Sequence, residues 1–151
     1  MIKRAGLILL TIFAVSVNLA QEKKLFWDGN DWVAIDRVTA QNPEFNFWVK
    51  NAYLSGMFDS RLFYRIKALE LQRDLADSLF NDLLAPTSSR RLIQGLDAFY
   101  RDLPNRYLPV PCALIAALMI QNDVPAAEIN RYIENSKRWI NDLLYKLPSP
   151  R

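Results

Sequence analysis

From Pro43 the chain runs to Pro86 without another proline, and inside that run Trp48, Ala52, Ser55, Asp59, Leu62, Ile66 and Leu69 recur at steps of three or four. Such steps line up side chains on one side of an α-helix, whereas a half-buried strand alternates at a step of two. Asn42 is a good N-cap, and Pro43 suits the first helical position, where a missing N–H costs nothing. One long helix is expected over residues 43–74, bent near Gly56 or Ser60, with a continuation to about residue 84 and a break in "APTSS". Its mostly apolar stripe is expected to face inward.

The rest of the chain carries the same signal. Sustained alternation of apolar and polar residues is missing, and no Asn-Gly or Asp-Gly turn joins two β-branched runs. Residues 32–39 read as a short helix capped by Asn30 or Asp31. Ser88 or Ser89 opens a helix in which Leu92, Leu96, Phe99 and Tyr100 share a face. Three prolines then stiffen "LPNRYLPVP", since each favours extended backbone in the residue before it. Pro111 opens "PCALIAALMIQ", apolar nearly all round and therefore expected at the centre of a bundle. Asp123 is expected to cap the last helix, whose inward stripe is Ile129, Tyr132, Ile133, Ser136, Trp139, Ile140, Leu143 and Leu147. The expectation is all-α: a single compact bundle of about five helices over residues 30–147, behind a lead-in at 21–29 and ahead of a tail at 148–151. A chain of 151 residues suits one such domain, with enough buried surface to need no metal or disulfide.

Residues 1–20 read as a cleavable signal peptide. Lys3 and Arg4 supply the positive start, residues 7–17 the apolar stretch, and Ala20 a small residue at the cleavage point. The apolar run at 6–20 is shorter than the roughly 20 residues that cross a bilayer. The expected location is periplasmic or secreted, with no stable membrane span after cleavage. Losing Lys3 and Arg4 leaves 17 basic against 16 acidic residues, a charge of +1 in place of +3, which gives little footing for nucleic acid. The lone cysteine, Cys112, cannot form an internal disulfide and is expected to pack as a small apolar side chain.

Catalytic chemistry finds few carriers. With no histidine in the chain, Ser–His and Cys–His nucleophiles and the usual zinc ligands are excluded. Phosphate-cradling glycine loops and a Gly-x-Ser-x-Gly elbow are also missing. A two-carboxylate glycosidase remains open, with Glu44, Asp59, Glu70 and Glu128 as its candidates. Glu44 and Glu128 are equally explained as acids in first helical turns. No cofactor and no metal are expected. In "FWDGNDW", Asp28, Asn30 and Asp31 lack the alternate spacing of a calcium loop, and the twelfth position is Thr39 rather than a bidentate Glu. That cluster reads as the start of a helix, with Trp27 packed against Trp32 or Ile35 in the manner of a hydrophobic staple.

Three features stand out as candidate interaction sites. Asp59 falls on the stripe read as inward, where a carboxylate needs a partner such as Arg61, Arg65 or Tyr100. Gly56 weakens its helix and is expected to admit another helix closely, the small face of Ala113, Ala116 and Ala117 being the natural candidate. Phe45, Phe47, Trp48, Phe63 and Tyr64 cover more than one helix face, so some must be exposed, and exposed aromatics are the usual anchors of protein interfaces.

"DGNDW", "VKNAYLSGMFDS" and "RRLIQGLDAFYRDLPNRYLPVPCALIAALM" resemble a family of small uncharacterised exported bacterial proteins with the pattern dG-x-x-W, K-x-x-Y-x-x-G-x-x-D and F-Y-x-D-x-x-N-x-x-x-P-V-x-x-A-L. The matching residues are Trp32, Lys50, Tyr53, Gly56, Asp59, Phe99, Tyr100, Asp102, Asn105, Pro109, Val110, Ala113 and Leu114. A more distant likeness is to the Rap1a/Tai immunity proteins, periplasmic helical proteins that neutralise toxins passed between bacteria. Those carry several disulfide-bonded cysteines, where this chain has Cys112 alone. The resemblances imply a helical fold and a protein partner in the cell envelope. The expected function is thus an exported, non-catalytic helical protein that binds another envelope protein, immunity- or chaperone-like. A cell-wall glycan hydrolase and a carrier of small apolar ligands or lipids are the alternatives. The candidate interaction residues are Trp32, Trp48, Tyr53, Gly56, Asp59, Tyr64, Phe99, Tyr100, Asn105 and Pro109, together with loop 103–109.

Overall fold

In the computed structural model, residues 24–80 and 88–147 are described. The expected signal peptide at 1–20, residues 21–23 of the lead-in, the tail at 148–151 and most of the expected break at 85–89 fall outside them. Among the described residues six α-helices and one short 3-10 turn succeed one another, and the sole β feature is an isolated bridge between Asp28 and Pro109. The protein is all-α. No described helix is long and apolar enough to cross a membrane.

The first helix, α1 (Gly29–Val38), starts three residues before the expected position because Asp28, not Asn30 or Asp31, is its cap. Asp28 Oδ1 accepts from the Asn30 and Asp31 amides at 2.8 and 3.3 Å, and Asp31 Oδ2 accepts from the Asp28 amide at 3.0 Å. Three free amide donors of the helix start are satisfied by this reciprocal pair. Asn42 caps α2 (Pro43–Leu71) as expected, through the Phe45 amide. α2 is uninterrupted through Gly56 and Ser60 but ends three residues short of position 74. Extended backbone at Gln72 separates it from α3 (Arg73–Phe80).

Ser88 caps α4 (Ser89–Phe99), and its expected apolar face is buried. After the 3-10 turn Leu103–Tyr107, α5 (Val110–Gln121) runs through the core, with Val110, Ala113, Leu114, Ala116 and Ala117 buried but Ile115 and Ile120 on the surface. Asp123 does not cap α6 (Ala126–Lys146). It takes a left-handed φ of 53° just past the end of α5, where its amide bonds to Ile120 O and the Val124 amide to Met119 O. Those two bonds satisfy the last free carbonyls of α5, a role usually filled by glycine and tolerated by aspartate. On α6, Ser136 and Ile140 are buried, while Trp139 sits at the margin, stacked on Phe26.

The largest departure concerns α2. Its buried residues are Lys50, Leu54 and Ala68, with Phe47, Tyr53, Met57 and Phe58 half-buried against the core. The stripe expected to face inward is exposed along its whole length. α2 carries apolar residues on nearly every side, so periodicity alone cannot choose which side packs. Gly56 is also relocated by this: a methyl group there would meet nothing within 4 Å. The small face of α5 receives Gly95 of α4 instead, where a methyl group would stand 3.5 Å from Ala117 Cβ.

Candidate functional site

Among the described residues one charged side chain is buried. Lys50 is 1% exposed, and its Nζ lies 2.6 Å from Asp36 Oδ1 and 2.7 Å from Asp97 Oδ1. It also sits 5.2 Å above the Trp32 ring. α1, α2 and α4 each contribute to this clamp. Asp97 Oδ1 accepts a further bond from Trp32 Nε1 at 2.7 Å, and Asn46 Nδ2 donates to Asp36 Oδ1 and Thr39 Oγ1 at 2.8 and 2.7 Å. Thr39 Oγ1 in turn donates to Ile35 O. An ammonium this buried is tolerable only when paired and hydrogen-bonded, and here both conditions hold. The arrangement is a tie between three helices. The ammonium occupies the space between the two carboxylates, where the oxygen of a glycosidic bond would have to lie.

A second set of contacts fastens the N-terminal lead to the loop before α5. Trp27 stacks on Tyr53 with ring centres 4.6 Å apart, and Trp32 meets the same ring edge-on at 6.4 Å. The staple expected between Trp27 and Trp32 is thus made through Tyr53. The Val110 amide donates to Trp27 O at 2.8 Å. Gly29 lies so close to Tyr100 and to Arg106 Cα that a methyl group would be 2.6 Å from the latter backbone atom. Tyr100 is fully buried, and its hydroxyl donates to Leu108 O at 2.9 Å. Asn105 Nδ2 and Arg106 Nε return bonds to the carbonyls of Phe99 and Tyr100. Loop 103–109 is therefore held from within, leaving Leu103 and Tyr107 outward.

Electrostatics follow these environments. Burial pushes the Tyr100 hydroxyl far above the ordinary tyrosine range, with the Asp28 charge adding to it. Tyr53 is raised by burial and then by Asp31. Burial raises the Cys112 thiol, partly offset by hydrogen bonds with Ser136 and Tyr132, so the thiolate needed for reactivity is disfavoured at neutral pH. Burial opposes the Lys24 charge, yet hydrogen bonds to Asp31 and Asp28 keep its pKa above the usual lysine value.

The ten candidate residues divide between two places. Trp32, Tyr53, Phe99, Tyr100, Asn105 and Pro109 meet around α1 and the loop, where they are buried or half-buried and hold the fold. Trp48, Gly56, Asp59 and Tyr64 lie exposed on α2. Asp59 is on the surface, so the internal link to Arg61, Arg65 or Tyr100 expected of a buried carboxylate is not required. The inner lysine's partners, Asp36 and Asp97, went unread in the sequence. The available signal was Lys50 itself, a lysine one turn before Leu54 and one turn after Asn46 on a helix rich in apolar residues.

What remains for a site is the outer side of α2. Phe45, Trp48, Leu62, Ile66 and Leu69 are 54, 57, 56, 48 and 41% exposed. Phe63 flanks them, its ring edge to face with that of Tyr64, which lies round the helix from the stripe and is exposed as well. Gly56, on the same side, lowers helix propensity by about 1 kcal/mol against alanine, and no described neighbour requires it. A separate groove of about 680 Å³ runs between α4, α5 and α6, floored by Gly95, Ala117 and Ile133 and rimmed by Arg91, Asp102 and Asn130. Among the described residues no three His, Cys, Asp or Glu side chains are placed to hold a metal ion. Compared with known families, curated proteins and solved structures, the chain matches none.

Proposed function

We propose that this is an exported, non-catalytic helical protein that acts by protein–protein contact in the cell envelope, in an immunity-like or chaperone-like role. The observation that carries the reading is the exposed apolar stripe of α2, where five large apolar residues stand about half in water while Lys50, Leu54 and Ala68 on the opposite side are buried. Soluble proteins keep apolar patches of this extent mainly where another molecule covers them. The non-catalytic part draws support from the lysine wedged between Asp36 and Asp97, which leaves that carboxylate pair no room for a substrate. The leader-like residues 1–20 support export.

The test is photo-crosslinking in cells expressing the full chain, with a light-activated side chain placed in turn at 62, at 66 and, as a control, at Arg131 on the exposed side of α6. Adducts to protein are expected from 62 and 66 and not from 131. Equal adducts at all three positions, or none at any, would overturn the reading. The carrier alternative has one feature in its favour, the groove beside α5. Its charged and amide rim suits a polar ligand better than a lipid.

A further inference from the structure

The exposed residues of α2 follow a stricter rule than amphipathicity. Phe45, Trp48, Ala52, Ser55, Asp59, Leu62, Ile66 and Leu69 step by three and four in unbroken alternation, and all eight are exposed. A period of 3.5 residues belongs to a helix that winds against another helix, with alternate positions entering the partner's gaps. Here the repeat lies on the side that the rest of the described chain leaves bare.

The repeat is also self-complementary. Reversed end for end about residue 57, it sets Phe45 against Leu69, Trp48 against Ile66, Ala52 against Leu62 and Ser55 against Asp59. Large residues then meet smaller ones near the middle, and the one carboxylate faces a hydroxyl that can donate to it. A parallel pairing would instead oppose Asp59 to its own copy, two like charges in one layer. Gly56 flanks the midpoint, where two helices running in opposite directions come closest. That accounts for a helix-interior glycine with nothing within 4 Å of where its side chain would be.

We propose that the outer side of α2 pairs with the same side of a second copy of this chain, antiparallel about a twofold axis near residue 57. The inference rests on the reading of that side as a protein-binding surface and names its partner. A twofold contact of this kind needs a patch that complements itself, which this repeat supplies. Phe45 and Trp48 offer about 150–250 Å² each and the three aliphatic residues less, so the five, about half exposed, present on the order of 500 Å² per copy. With Phe63 and the small central residues the pair buries about 1,200 Å², the lower end of specific interfaces. An interface of this size suits a reversible dimer in exchange with monomer.

Sedimentation velocity on protein recovered from cells expressing the full chain tests this, with the processed form fixed by intact mass. Between about 1 and 200 µM the mass is expected to rise from one chain towards two. Leu62→Ser with Ile66→Ser should hold it at one chain throughout, with unchanged helical content. Gly56→Leu supplies a second variant. Its side chain enters open space in the single copy, so folding is retained while dimerisation weakens at least tenfold. For orientation, Ala52→Cys and Leu62→Cys, each in a Cys112→Ser background, should form a mixed disulfide when combined and little disulfide alone. A chain that stays single at 200 µM, or a dimer untouched by all these changes, overturns the proposal. If the chain stays single while crosslinks from 62 and 66 reach a different protein, the self-pairing is wrong and the protein-binding reading stands. If those positions crosslink to nothing, both fail.

Discussion

The two sides of α2 invert what their compositions suggest. The inner side holds Asn46, Lys50 and Leu54, and it is the one that packs, with the lysine almost completely buried. The outer side carries the better apolar stripe and faces water. The difference teaches that burial here is decided by available partners rather than by hydrophobicity alone. Asp36 on α1 and Asp97 on α4 provide Lys50 with two carboxylates, and Trp32 provides a ring face, so the polar side has its complement within the chain. The apolar stripe finds no complement among the described residues, and its period suits a helix from outside.

Substitutions that remove one side at a time sharpen this contrast. Leu54→Ala, in the core cluster, should lower unfolding free energy by about 3 kcal/mol in urea melts. Leu62→Ala, measured where the protein is monomeric, should stay within about 0.5 kcal/mol of the parent. Equal losses at the two positions would erase the distinction. Lys50→Ala strands two carboxylates and should cost about 3 kcal/mol, the low end for a broken buried ion pair because Asp36 and Asp97 reach water. The loss should shrink when Asp97→Asn is added, a coupling that a double-mutant cycle reads directly.

Away from α2 the effects are smaller. Tyr100→Phe leaves Leu108 O without its donor and should cost about 1–2 kcal/mol. Its pH dependence has a fixed sign. The folded hydroxyl keeps its proton where an unfolded tyrosine, near pH 10, gives it up, so the tyrosine's contribution is complete below about pH 10 and fades above it. Urea midpoints of the parent should therefore fall faster above pH 10 than those of Tyr100→Phe. The smallest expected change is a gain. Asp123→Gly relieves a left-handed backbone and should stabilise by about 0.5 kcal/mol, visible as a slightly higher melting temperature.

Much of the fold could be read from local chemistry. Asn42–Pro43 and Ser88 mark helix starts because capping is decided within three or four residues, and the apolar face of α4 is a simple amphipathic stripe. Reading failed where two local solutions compete or where the answer lies far along the chain. Asp28 outranks Asn30 and Asp31 as a cap only because Asp31 reaches back to it. Asp123 could open α6 or close α5, and the bond from Val124 to Met119 decides for closing. The clamp joins positions 36, 50 and 97, a pairing that no spacing rule encodes. Of the ten candidate residues, Trp48, Gly56, Asp59 and Tyr64 are exposed on α2 and the other six are buried or half-buried. The orientation of α2 was not legible, because a stripe of the right period looks the same whether its partner lies within the chain or in another molecule.

One measurement addresses both sides of α2, the one that packs in its own bundle and the one proposed to meet another molecule. Urea midpoints of the parent and of Leu62→Ser with Ile66→Ser are compared over a hundredfold range of protein concentration. Association coupled to folding makes stability rise with concentration. A rising midpoint is expected for the parent and a flat one for the variant, the two meeting at the lowest concentration. A flat parent, with the variant as destabilised as Leu54→Ala, would contradict it.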